Sequence, residues 1–114
     1  MEIPGQIAWV PKDAFVMPIL PLELGVDPLL AALLHVAAFL VLSGDESVDS
    51  AWALEALEHM GYYLQRLSPS DFERFRLQLD RIADYGERQH WPTEFINFVH
   101  EFLRSFGLEE EKEA

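Results

Sequence analysis

The chain contains no cysteine, which excludes disulfides, thiolate nucleophiles and zinc sites of the cysteine type, and gives no support for an oxidising compartment. Positive charge is scarce. Eight Lys and Arg stand against twenty Asp and Glu, for a formal charge of -12. A field of that sign repels phosphate backbones and anionic headgroups, so no nucleic acid and no membrane partner is expected, while basic proteins are drawn in. Glycine-rich phosphate loops, G-x-S-x-G elbows and H-E-x-x-H helices are all missing, so the common enzyme signatures fail and no cofactor is expected. The most apolar stretch, residues 29–42 with His35 its only strongly polar member, falls well short of a ~30 Å hydrocarbon core at about 1.5 Å of rise per residue. Met1-Glu2-Ile3-Pro4-Gly5 lacks the basic and then apolar regions of a signal peptide, so the expected location is cytoplasmic.

What is present is ordinary globular material, 50% hydrophobic and 25% charged over 114 residues, enough for one domain with one core. Pro4, Pro11, Pro18 and Pro21 rule out a long helix in residues 1–27 and predict an extended arm packed on the domain, with one short hairpin. Asp27 before Pro28 reads as a helix start, an N-cap followed by proline at the first helical position. That first helix ends near Leu42, ahead of Ser43-Gly44-Asp45. Being apolar on every side, it is expected to be buried at the centre.

A second helix begins after Asp49 or Ser50 and runs to Leu67, burying Ala53, Ala56, Leu57, Met60, Leu64 and Leu67. Ser68-Pro69-Ser70-Asp71 opens a third, with a capping hydroxyl, a first-turn proline and an acid at the positive end of the dipole. Its buried face reads Phe72, Phe75, Leu79, Ile82, Ala83 and Gly86, with Arg76 and Asp80 spaced for a helical ion pair. A break at His90-Trp91-Pro92 leads to a fourth helix reaching Phe106, with Gly107 as its left-handed stop. Residues 109–114 are mostly glutamate and are expected to form a mobile acidic tail. Short connections make the fold all-α, either a four-helix bundle or two stacked helical hairpins, with the arm alongside.

Glu87 and His90 have the Glu-x-x-His spacing of di-iron bundles, but helix four offers Asn97 before His100 in place of the second carboxylate. Glu55 and His59 stand one helical turn apart, a spacing that suits a metal or a shared proton and equally an exposed stabilising contact. His35 sits among apolar neighbours as a core histidine needing a hydrogen-bond partner. The better case is a contact surface. Glu55, Glu58, His59, Tyr62 and Arg66 lie opposite the buried stripe of helix two, and Tyr and Arg are favoured at binding hot spots. On helix three, Leu77 and Tyr85 fall outside the core arc and add candidate contacts.

From Leu29 to Leu108 the chain runs through Leu-Leu-His-Val-Ala-Ala-Phe-Leu and Ala-Leu-Glu-His-Met-Gly-Tyr-Tyr-Leu-Gln-Arg-Leu-Ser-Pro. This stretch, about two thirds of the whole, resembles small acidic helical bacterial proteins, some of them immunity proteins for secreted toxins. The resemblance implies a protein-binding module that blocks a basic toxin through complementary charge. Two other readings stay open: a self-associating helical scaffold using Leu77, Tyr85 or the arm, and a metal-dependent helical enzyme using Glu55, His59, Glu87 and His90. Monomer and oligomer are equally compatible with the pattern.

Overall fold

The computed structural model of the protein describes residues 13–108. The readings for residues 1–12 of the arm and for the tail at 109–114 lie outside them. Among the described residues there are five α-helices, one short 3-10 helix and no strand. The helices are α1 (Pro28–Leu42), α2 (Ser50–Leu64), α3 (Pro69–Arg88), α4 (Thr93–His100) and α5 (Phe102–Ser105).

Each predicted cap is formed. The Asp27 carboxylate accepts from the Leu29 amide, Asp49 from those of Ala51 and Trp52, and the Ser68 hydroxyl from that of Asp71. These bonds satisfy amides that the first turn of a helix leaves without partners. At the end of α3, His90 takes a left-handed backbone (φ 61). The Trp91 amide then reaches the Gly86 carbonyl and the His90 amide that of Glu87, the paired bonds of a Schellman stop. Gly107 (φ 86) closes α5 in the same way, with the Leu108 amide on Leu103 and its own on Arg104.

Two boundaries differ from expectation. Helix α2 stops at Leu64, and Gln65 to Leu67 follow as a tightening turn through bonds such as Arg66 to Tyr63. The predicted fourth helix is interrupted at Glu101 into α4 and α5. Its apolar side nevertheless stays on one face, with Phe95, Val99, Phe102 and Leu103 buried.

The core joins Met17, Leu30, Leu34, Ala37 and Ala38 to Leu79, Ile82 and Ala83 of α3 and to the buried face of α4 and α5. Helix α3 pairs most extensively with α4, while α1 touches both α2 and α4. The expectation that α1 is enclosed is therefore corrected. It buries one side only, and Leu29 (79% exposed), Val36 (54%) and Val41 (44%) face solvent. An all-apolar helix carries no periodicity to say which side its neighbours cover.

Residues 13–27 contain a 3-10 turn, Leu22–Leu24, and no strand, while the rest of the arm in which a hairpin is expected lies outside the described residues. With prolines at 18 and 21 removing amides, the backbone turns to other partners. The Gly44 amide donates to the Asp13 carbonyl (2.8 Å), and the Phe15 amide to the Ser43 hydroxyl (2.8 Å). Arg81 of α3 donates to the Leu24 and Gly25 carbonyls (3.2 and 3.0 Å), and the Asp27 amide to Gln78 (2.7 Å). Met17 is buried in the core, and Phe15 meets Phe95 edge to face at 4.7 Å.

Candidate functional site

Charge is divided unevenly along the chain. Between Asp13 and Gln65 there are eight carboxylates (Asp13, Glu23, Asp27, Asp45, Glu46, Asp49, Glu55 and Glu58) and no Lys or Arg. From Arg66 to Leu108 six arginines nearly balance seven acids. Helix α3 neutralises itself through Arg76, which binds Glu73 (2.6 Å) and Asp80 (3.3 Å), and through Arg74, which binds Asp71 (3.2 Å) and reaches across to Asp27 (3.2 Å). Three carboxylates are held toward ionisation by their donors. Glu73 lies below its ordinary value because Arg76 donates to it, Asp27 because the Leu29 amide and then Arg74 do, and Asp13 chiefly because the Ser47 hydroxyl does. Helix α2 receives no such compensation from arginine.

Of the residues predicted to form a contact surface, Glu55, Glu58, His59 and Tyr62 come together on the outer side of α2, all exposed. His59 Nε2 sits 3.3 Å from Glu55, and its ring lies 6.4 Å from that of Tyr62. Arg66 does not join them. It follows the end of the helix and turns its guanidinium over the Tyr63 ring at 5.1 Å. On α3, Leu77 is exposed, but Tyr85 is half-buried with its ring against Trp91 at 5.7 Å, so its expected exposure is corrected. Eight positions of helix separate that pair, about 12 Å along the axis, so they make no single patch.

Sequence reasoning missed several exposed side chains of α2 itself: Trp52 (74%), Leu54 (59%) and Tyr63 (67%). Of the proposed buried stripe, Ala53 is buried, Leu57, Met60, Leu64 and Leu67 are partly so, and Ala56 is exposed. The helix thus touches the core along a narrow line and offers water three large aromatics among its carboxylates. Their signal was present, since Trp52 and Tyr63 fall off the predicted stripe.

Beside this face lies a groove of about 550 Å³. Leu54, Leu57 and Gly61 of α2 form one wall, Val41, Phe98 and Phe106 the other, and Glu58, Tyr62 and Gln65 stand at its edge. A second cleft, about 530 Å³, runs between residues 17–28 and the outer side of α1. Its lining is apolar apart from His35, whose Nε2 is buried without a hydrogen-bond partner, contrary to the satisfied histidine expected.

Glu87 lies within α3 while His90 lies past its end in left-handed backbone, so the one-face spacing of a di-iron ligand pair is lost. Among the described residues no group of three or more His, Cys, Asp or Glu is placed to hold a metal ion, and no helix is long and apolar enough to cross a membrane. Comparison with known proteins finds no match among family models, curated proteins or solved structures.

Proposed function

We propose that this chain is a cytoplasmic protein-binding module whose α2 face takes a basic protein, in the manner of an immunity-type inhibitor covering a basic toxin. The reading treats the helices as a four-helix bundle with the N-terminal arm laid along it and α2 as the member presented outward. One observation carries it: carboxylates without arginine partners and the exposed rings of Trp52, Tyr62 and Tyr63 share a single helix. Carboxylates steer a cationic partner, and tyrosine and tryptophan supply contact area once it arrives. No catalysis is assigned.

The test is association kinetics with a basic protein encoded beside this gene, comparing the native chain with Glu55→Lys/Glu58→Lys. Charge reversal should slow association by about tenfold at low salt, with the difference shrinking as salt rises. Equal association rates at every salt concentration would refute the assignment.

A second reading, self-association, has its own support. Ile19 and Leu22 (79% and 93% exposed) border the cleft on α1, which is lined without a carboxylate, so two like-charged copies could meet there without direct repulsion. Sedimentation across a concentration series decides it: a constant monomer excludes the scaffold.

A further inference from the structure

We propose that the groove between α2 and the Phe98–Phe106 side accepts the apolar edge of a basic amphipathic helix supplied by the partner. This rests on reading α2 as a face for basic proteins, and adds which part of such a protein enters.

The occupant must be cationic. Glu58 stands at the rim with no ion-pair partner among the described residues, and no Lys or Arg occurs from Asp13 to Gln65. A second copy of this chain would bring its own charge of -12 to that rim, so complementarity selects a partner of opposite sign. The occupant must also have an apolar edge, because Leu54, Val41, Phe98 and Phe106 form the walls.

Helical form follows from the backbone. The walls belong to helices, whose amides and carbonyls are already bonded along their own axes, so an extended segment would find no ladder to join. A helix brings its hydrogen bonds with it and needs only side-chain contact. Gly61, buried in the last turn of α2, brings the two walls together at the groove's floor: a methyl added there would meet the Phe106 ring at 3.6 Å, in ordinary contact.

The probe is a fluorescein-labelled synthetic helix with leucine along one face and arginine over the rest, followed by anisotropy at low salt. A companion peptide keeps every arginine and replaces leucine by serine. Leu54→Asp is the deciding variant, because it adds a negative charge while spoiling the groove, at a side chain 59% exposed and so tolerated by the fold. Ser70→Asp, at the exposed start of α3, adds the same charge elsewhere, and circular dichroism checks that both variants stay folded.

The groove predicts that Leu54→Asp binds the leucine peptide about tenfold more weakly, a change of about 1.4 kcal/mol, while Ser70→Asp binds it no more weakly than the native chain. It also predicts that the serine peptide binds weakly to all three. Leu54→Asp binding as tightly as the native chain or more so, or the serine peptide matching the leucine one, overturns the groove. If Glu55→Lys/Glu58→Lys still weakens binding in that case, the acidic face survives without it. If neither peptide binds the native chain at low salt, the acidic face falls as well.

Discussion

Trp91 lies so close to Gly86 that a methyl group on that glycine would overlap the six-membered ring of the indole. The Schellman stop of α3 folds Trp91 back over the helix it has just left, and the ring then stacks on Phe95 at 4.7 Å. Gly86→Ala should therefore destabilise the protein. Overpacking costs about 1–3 kcal/mol and exceeds the gain of about 1 kcal/mol that alanine brings to a helix interior.

Gly61→Ala provides the contrast. It sits in the same kind of backbone with only ordinary contact to Phe106, so the propensity gain of about 0.5–1 kcal/mol should appear as added stability. Urea midpoints measured side by side should move in opposite directions. A shared direction would mean that the Trp91 ring yields easily.

Phe95 is 2% exposed and touches two rings, Trp91 by stacking and Phe15 edge to face. Phe95→Ala should cost about 3–5 kcal/mol. A double-mutant cycle with Phe15→Ala should return a coupling of about 0.5–1.5 kcal/mol. A coupling near zero would say that residues 13–27 are not seated against α4 in solution.

Acid should weaken the fold through particular carboxylates. Asp13 and Asp27 are lowered from an ordinary 3.8 and Glu73 from 4.5. Their stabilisation is complete above the unfolded values and is lost as pH falls through the lower folded ones. Stability from these groups should hold level from neutral pH to about 5 and decline below about 4. Asp27→Asn, which keeps a capping carbonyl but cannot ionise, should flatten part of that decline. An unchanged acid profile would show that Asp27 does not contribute to it.

Trp52 offers a separation of folding from binding. With its ring 74% exposed, Trp52→Ser should shift stability by less than about 0.5 kcal/mol. If α2 is the contact face, the same change should weaken binding to the basic partner by about 2 kcal/mol, the scale of an aromatic hot spot. Unaltered affinity in calorimetry would remove Trp52 from the interface.

Local signals carried most of the helix boundaries. Asp27-Pro28, Asp49 and Ser68-Pro69 act within a turn of their own position, and each forms the cap its chemistry implies. The interruption at Glu101 was illegible because the apolar face continues through it. The open side of α1 was hidden by its lack of any polar stripe, and Tyr85 became half-buried through a ring that arrives from beyond the Schellman turn. The groove could not be read at all, since Val41, Leu54, Phe98 and Phe106 meet only after folding.

The missing Lys and Arg from Asp13 to Gln65 also fix where trypsin can cut. Helices α1 and α2 and the loop joining them contain no cleavable bond, so the sites that bound them are Lys12 and Arg66, beside the α2–α3 turn. Cleavage at those two sites thus releases the acidic half of the protein, Asp13 to Arg66, as one uninterrupted fragment.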